Sequence, residues 1–371
     1  MSDIPLSLYV HFPWCVKKCP YCDFNSHSLS QKIPQAEYLD ALIRDLYEEK
    51  IRESRHHLTS IFLGGGTPSL FSGRSINRLI NQIHKHFVID NSEITIEANP
   101  GSFDQSNFNS YRKAGVNRLS LGAQSFEQKH LESLGRIHNS KDIFNAYEGA
   151  RSAGFSRINI DLMFGLPGQD CDSAISDLRQ AVELGPEHIS WYQLTIEPNT
   201  IFYRYPPITP HEDTLVEITQ MGHKLLEEAG FQQYEVSAFA LPGEFSQHNL
   251  NYWQFGDYIG IGAGAHGKRT LNKTIVRSKK SRIPSDYMAS TKPYQDIVPS
   301  GEITLEFLMN ALRLTEGFKL TLFKERTGLT PKKLDAFIDR ASQLGLIEVK
   351  PGNLRPSAKG RQFLDSMLLL V

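Results

Sequence analysis

Apolar residues in the first two-thirds of the chain fall into two alternating rhythms. Short apolar runs of strand length occupy residues 6–10, 61–63, 93–97, 118–121, 157–161 and 188–194. Between them the spacing switches to three and four residues, as in Tyr38, Leu39, Leu42, Ile43, Leu46 and Tyr47, and later in Leu215, Ile218, Leu225 and Leu226. Such spacing gathers apolar side chains on one helix face. Gly115, Gly154 and Gly230 follow helical stretches, where a left-handed residue commonly caps the end. Six strand–helix units in succession predict a parallel sheet wrapped by helices, either a barrel or a doubly wound sheet. Periodicity does not choose between those two.

The last 70 residues read differently. Helical patterns at 305–314 and 334–344 precede a hairpin-like segment at 346–355 and a final helix. This order resembles a winged-helix module. Residues 319–361 carry ten Lys or Arg against four Asp or Glu. Nucleic-acid binding is therefore considered for this region but ranked below packing or protein contact.

Composition narrows the class. With 371 residues, 40% of them hydrophobic, and a net charge of -1, the chain has material for a large core and a smaller unit. The balance implies neither disorder nor a polyanionic partner. Four cysteines, three of them clustered, suit a reducing compartment, so the cytoplasm is the expected location. The start, Met1-Ser-Asp-Ile-Pro, shows no secretory signal. No run approaches the roughly 18 apolar residues of a membrane span, so an integral membrane protein is not expected. The apolar tail, 367–371, is expected to pack a final helix.

The densest chemistry follows the first strand. Cys15, Cys19 and Cys22 stand in a C-x3-C-x2-C arrangement. Three close thiolates on one loop suit a [4Fe–4S] cluster with one iron left open, a zinc site completed by a distant ligand, or three unrelated thiols. Cys171 stands apart, beside Asp170 and Asp172, and reads as structural. The other strands also run into residues able to bind something: Gly64-Gly65-Gly66-Thr67-Pro68, Glu97, Gln124, Asp161 and Gln193–Thr195. In parallel α/β folds chemistry sits at these carboxyl ends. Glycines admit a ligand close to backbone, although a tight turn also uses them. Glu97 suits ribose hydroxyls, and Arg136 a carboxylate.

The cysteine spacing resembles the radical S-adenosylmethionine (radical SAM) superfamily, whose members chelate the methionine end of SAM on the open iron. That resemblance implies an α/β fold built on an open partial (β/α)6 barrel, with a smaller α/β C-terminal region that includes the winged-helix-like module. More narrowly, Tyr9-Val-His-Phe-Pro-Trp-Cys15, the Gly-Gly-Gly-Thr-Pro turn, Ile96-Glu-Ala-Asn-Pro100, Leu121-Gly-Ala-Gln-Ser-Phe126 and Asp161-Leu-Met-Phe-Gly-Leu-Pro167 look like the oxygen-independent coproporphyrinogen III oxidase family. The resemblance implies SAM contacts at Tyr9, Tyr21, Gly65, Gly66, Thr67, Glu97, Gln124, Arg136, Asp161 and Thr195. Some of these hold a second SAM in the true oxidase.

One departure redirects the reading. The true oxidase carries a further cysteine two positions past the third, and here that position is Phe24. A sister group, the HemW heme chaperones, lacks that cysteine and carries an H-N-x-x-Y-W motif, which reads here His248-Asn249-Leu-Asn-Tyr252-Trp253. The resemblance makes His248 a heme ligand and the aromatic pair its packing surface. His266, in a Gly-rich stretch at 260–267, is a rival ligand. Residues 268–282 hold seven basic residues and no acidic one, read either as propionate or acidic-partner contacts or as a solvated loop.

Three regions are then expected: a radical SAM core at 1–235, a heme-binding connecting region at 236–300, and a winged-helix-like domain at 301–371. Three functions compete. The first is a heme chaperone that carries a [4Fe–4S] cluster and SAM and passes heme to an acceptor protein, such as a membrane respiratory enzyme. The second is an oxygen-independent coproporphyrinogen III oxidase. The third is a nucleic-acid or protein-binding module.

Overall fold

The computed structural model describes residues 4–29, 32–51, 56–102 and 105–371. The reading of Met1–Asp3 as free of a signal lies outside them. Six parallel strands, β1 (Leu6–Phe12), β2 (Leu58–Gly65), β3 (Glu93–Ala98), β4 (Arg118–Gln124), β5 (Ile158–Phe164) and β6 (His188–Gln193), stand side by side in chain order. The longer helices between them are α1 (Gln35–Ile51), α2 (Gly73–His86), α3 (Gln105–Lys113), α4 (Ser140–Ser152) and α5 (Cys171–Leu184), followed by α6 (Glu212–Glu228).

Local chemistry explains the boundaries. The Ser72 hydroxyl accepts from Ser75 N at the start of α2. Asn139 with Asp142, and Asp170 with Ser173, form reciprocal capping boxes for α4 and α5. Gly115, Gly154 and Gly230 take positive φ, as their positions predicted. Cys171 opens α5 and packs partly against the core.

The sheet extends beyond these strands. After α6 two short antiparallel strands, Gln232–Glu235 and Ala238–Ala240, finish the β6 edge. A short helix, α7 (Gln247–Trp253), leads to β7 (Asp257–Ile261), which pairs parallel with β1 on its other side. The hairpin β8 (His266–Leu271) and β9 (Thr274–Lys279), then β10 (Tyr294–Ile297), continue antiparallel. Among the described residues no pairing joins the two edges, so the twelve-stranded sheet is an open partial barrel.

At the C-terminus, α8 (Ile303–Ala311), α9 (Leu320–Thr327) and α10 (Asp335–Gln343) pack with a three-stranded sheet whose hairpin is Ile347–Lys350 and Asn353–Pro356. This is the winged-helix-like module. Its Phe307 ring meets Phe318 and Phe323, but also Phe255 at 5.5 Å, and Ile275 shares the same core. The module is therefore docked through shared apolar surface rather than tethered. The tail ends in the short helix Leu364–Leu368, where Met367 is fully buried and Leu369 is 86% exposed.

Candidate functional site

The strands separate their side chains by face. Leu8, Val10, Phe12, Ile61, Leu63, Ile94, Ile96, Leu119, Leu121, Ile158 and Ile160 point outward into the helix-covered core. The alternate positions are polar and meet one another inside. Ser7 Oγ lies 2.8 Å from Ser60 Oγ, Ser120 Oγ donates to Asp161 (2.8 Å), and His188 Nδ1 sits 2.6 Å from Asn159 Oδ1. Parallel strands covered on both sides are usually apolar on both faces. A polar inner face marks the concave side as a chamber.

Charged pairs plug the amino-terminal end of that chamber. Glu93 on β3 takes Arg118 at 3.3 Å and Arg157 at 3.2 Å, and Arg157 also reaches Glu244 at 2.6 Å. The other Glu93 oxygen accepts from Gln247 N (2.9 Å), His248 N (3.3 Å) and Ser246 Oγ (3.4 Å). One buried carboxylate thus bridges two guanidinium groups, the second of them shared with Glu244, and holds the start of α7 against the barrel interior.

The cysteine loop closes the opposite end. Its ends are clasped by a two-residue parallel pairing of Trp14–Cys15 with His27–Ser28. Asn25 Nδ2 donates to Ala263 O and Arg282 O, both at 2.9 Å, and Phe202 N donates to Pro20 O (3.0 Å). The three thiols are free and half-buried. Burial pushes those of Cys15 and Cys22 up, and the neighbouring cysteines add to it. Arg136 Nη1 donates to Cys19 Sγ at 3.7 Å. Among the described residues no three His, Cys, Asp or Glu side chains converge on one metal ion. A cubane asks for something different, because each thiolate takes its own iron and the sulfurs surround a volume.

Between the loop and the strand ends lies the polar mouth. Gly65 has φ +110°, and a Cβ there would strike the His11 ring at 2.5 Å; one at Gly66 would strike Trp14 O at 2.6 Å. These glycines let the turn press against β1, with Gly66 N on Phe12 O and Thr67 N on Trp14 O. Gly65 N donates to Glu97 Oε2 at 3.0 Å. Gln124 follows a register shift in β4 and takes φ +71°, an uncommon state for a non-glycine residue. Tyr192 Oη donates to its Oε1 at 2.7 Å. Arg136 Nη2 donates to Gly122 O (2.7 Å), while its buried Nε has no partner. Tyr9 Oη sits 2.9 Å from His11 Nδ1; since His11 Nε2 donates to Asn25 O, that Nδ1 is the acceptor.

Tyr9, Tyr21, Gly65, Gly66, Thr67, Glu97, Gln124, Arg136 and Asp161 therefore surround one mouth beside the thiols. Thr195 does not join them: it is exposed past β6. Asn159 and Tyr192 belong to the arrangement but escape motif reading, and His11, inside the Tyr9–Cys15 motif, is given no role of its own there. Their signal was the two-residue polar alternation along β1, β5 and β6.

Two acids share this buried mouth. Burial, with Asp161 adding, pushes Glu97 up to about 8. Burial raises Asp161 too, against hydrogen bonds from Ser120 and Asn159. The folded Glu97 keeps its proton to about pH 8 whereas the unfolded group releases it near 4.5, so over that window the folded state binds more protons and stability falls as pH rises. The ligand-free protein should melt lower at pH 8 than at pH 6, and Glu97→Gln should remove much of that slope. Identical slopes in differential scanning fluorimetry would place the titration elsewhere.

The His248–Trp253 segment is α7, laid against the inner face of β1 and β2. His248 is 5% exposed and stacks on Phe62 at 4.6 Å and Tyr9 at 6.2 Å, with Tyr252 edge-on at 4.8 Å. Burial drops its pKa to about 3, so the ring is neutral. Asn249 Nδ2 donates to Tyr234 Oη (3.2 Å), and Arg313 lies 4.4 Å over the Trp253 ring.

The basic stretch at 268–282 is not a solvated loop; it is the β8–β9 hairpin and its exit. Lys268 is buried on Asp257 at 2.8 Å, and Lys280 is buried on Asp45 (2.5 Å) and Glu49 (3.2 Å). Arg277 is taken by Glu306 and by Tyr258 Oη (2.8 Å). Lys273, Lys279 and Arg282 remain exposed. Three of the seven charges, Lys268, Arg277 and Lys280, are thus internal ties to partners outside the stretch.

The donor set and the glycine-lined mouth, with an unpartnered guanidinium nitrogen, fit an iron–sulfur cluster carrying a small polar ligand. Comparison with known proteins agrees. Residues 9–181 match the radical SAM superfamily and residues 298–363 the HemN C-terminal domain. The chain is 46% identical to a heme chaperone, HemW, of Haemophilus influenzae, over 99% of this chain and 97% of that protein. It is 45% identical to the HemW heme chaperone of Escherichia coli, over 99% and 98%. The solved coproporphyrinogen III oxidase (HemN) of Escherichia coli, a radical SAM enzyme, superposes with a TM-score of 0.83 at 22% identity, covering 99% of this chain and 90% of that one. At that identity it speaks for the fold alone.

Proposed function

The chain belongs to the HemW family of radical SAM proteins, and from that premise we propose that it is a heme chaperone, binding heme and handing it to an acceptor protein. The observation that carries this reading is the end-to-end similarity to two heme chaperones, over 97% or more of each relative. Phe24 supports it. The side chain is 63% exposed beside the thiols, where the oxidase would carry a further cysteine.

The family implies a [4Fe–4S] cluster and SAM, and Cys15, Cys19 and Cys22 are the residues to hold the cluster. When bound, the cluster offers an open iron to the amino and carboxylate groups of SAM. The protein's own part is to position and to exclude water. Gly65, Gly66 and Thr67 present backbone to the methionine end, and Glu97 receives ribose hydroxyls. Arg136 brings a buried donor with no protein partner, and Tyr9, Tyr21, Gln124 and Asp161 wall the mouth. Thr195 can contribute only from the rim. Heme is assigned to the region around His248, Asn249, Tyr252 and Trp253. The cytoplasm suits this chemistry, and no described helix is long and apolar enough to cross a membrane.

The test is anaerobic reconstitution with iron, sulfide and SAM, followed by two readings. Hemin should bind saturably, and coproporphyrinogen III should yield no protoporphyrinogen. Robust porphyrin turnover without hemin binding would favour the oxidase instead.

A further inference from the structure

β1 presents to the mouth a buried histidine that is neither a cluster ligand nor an assigned contact of SAM or heme. His11 is 5% exposed, and its ring joins three parts of the site. Its Nε2 donates to Asn25 O at 2.8 Å, on the limb of the cysteine loop that leaves Cys22. Its Nδ1 accepts from Tyr9 Oη at 2.9 Å. The ring also presses on the glycine turn, where a Cβ at Gly65 would come within 2.5 Å of it. We propose that His11 is a positioning residue, fixing the outgoing limb of the cysteine loop against the Gly65–Thr67 turn so that SAM can meet cluster and turn together. The inference rests on the cluster-and-SAM reading above.

Three features carry it. First, the ring has one usable state. Burial brings its pKa down to about 4, so it is neutral, with one donor and one acceptor. A carbonyl oxygen only accepts, so the proton sits on Nε2 and Nδ1 is left for the Tyr9 hydroxyl.

Second, the backbone beneath the ring is pinned. His11 O accepts from Tyr38 Oη at 2.7 Å, and Tyr38 Oη accepts from Ala263 N at 2.9 Å. The chain leaving β7 crowds the same carbonyl, since a Cβ at Gly262 would come within 2.4 Å of His11 O.

Third, the two limbs of the loop are tied by different means. Backbone joins the incoming limb to the turn, with Thr67 N on Trp14 O at 2.8 Å. On the outgoing limb the Asn25 side chain is engaged elsewhere, with Ala263 O and Arg282 O. Its carbonyl is what meets the mouth, through His11. Groups that orient a metal site without ligating it commonly change affinity or activity roughly 10–100-fold when removed.

Reconstituted wild type, His11→Asn and His11→Gln separate the two bonds of the ring. Asparagine places an amide near the Nδ1 position and falls short of Asn25. Glutamine reaches the Nε2 position and keeps a donor for Asn25 O. Melting temperature and iron content establish that each variant is folded and loaded. The readings are SAM affinity by equilibrium dialysis and the SAM-induced change in the EPR spectrum of the dithionite-reduced cluster. His11→Asn should weaken SAM binding ~10-fold or more and blunt the spectral change, whereas His11→Gln should retain both. In the cluster-free proteins Cys22 should alkylate faster in His11→Asn than in wild type, with Cys15 unchanged. Wild-type SAM affinity and spectral response in His11→Asn would overturn the role, and so would equal losses in both variants. Should His11→Asn not fold, His11→Gln decides alone: wild-type behaviour supports the role and a lost response overturns it. If wild type itself takes up no cluster or ignores SAM, the cluster-and-SAM reading falls, while the alkylation rates still report the hold of His11 on the loop.

Discussion

Cys19→Ala should lose the cluster. After anaerobic reconstitution its iron and sulfide content should fall ~10-fold or more against wild type, together with the charge-transfer absorbance of the cluster. The reason is positional as well as chemical. The loop is clasped by the Trp14–Cys15 and His27–Ser28 pairing and by Asn25, so the thiols cannot rearrange to recruit a substitute. Cys171, the remaining cysteine, opens α5 on the helix-covered side and offers no rescue. Removal of Cys19 also frees Arg136, whose Nη1 now donates to that sulfur. Wild-type iron content in the variant would mean that the three thiols are not the ligand set. Cys171→Ala, by contrast, should reconstitute normally.

Glu93→Ala should produce the largest loss of stability. The carboxylate is 1% exposed and serves Arg118, itself 2% exposed, and Arg157 together, while accepting from the first backbone amides of α7. Removing one partner of a buried ion pair typically costs ~3–5 kcal/mol, because the remaining charge stays buried without compensation. Glu93→Gln keeps the shape and should recover only part of the loss. The measurement is a chemical denaturation midpoint with unchanged slope. A shift equivalent to less than ~0.5 kcal/mol would show that Arg118 finds another counter-charge. Since α7 carries His248 and Tyr252, the variant should also weaken hemin binding.

Much of this organisation was legible along the chain. Strand-length runs found the six central strands in order, and the polar residues that end the first five meet at one mouth, while Gln193 and Thr195 at the end of the sixth are exposed. The resemblance carried by Cys15–Cys22 and the Gly-Gly-Gly-Thr-Pro turn chose an open barrel where periodicity was silent. What escaped was non-local. β7 was not read as a strand, because its partner, β1, lies some 250 residues earlier and no local pattern reports that pairing. Lys268 and Lys280 were read as ligand or partner contacts or as solvated charge, since Asp257 lies eleven residues before Lys268 and Asp45 and Glu49 more than 200 before Lys280. The inner polar face was visible in Ser7, Tyr9 and His11 and in Glu93, Thr95 and Glu97, but parallel strands set the opposite expectation. The H-N-x-x-Y-W motif was readable as a unit, whereas the burial of His248 depended on Glu93 and Phe62, which only the fold supplies.

The most direct test of the central claim is an absorbance titration of hemin into the anaerobically reconstituted, SAM-loaded protein. A chaperone predicts a Soret band that shifts and saturates at a fixed heme-to-protein ratio, with no protoporphyrinogen formed when coproporphyrinogen III is offered under the same conditions. A featureless, non-saturating response to hemin, with steady conversion of coproporphyrinogen III, would contradict it.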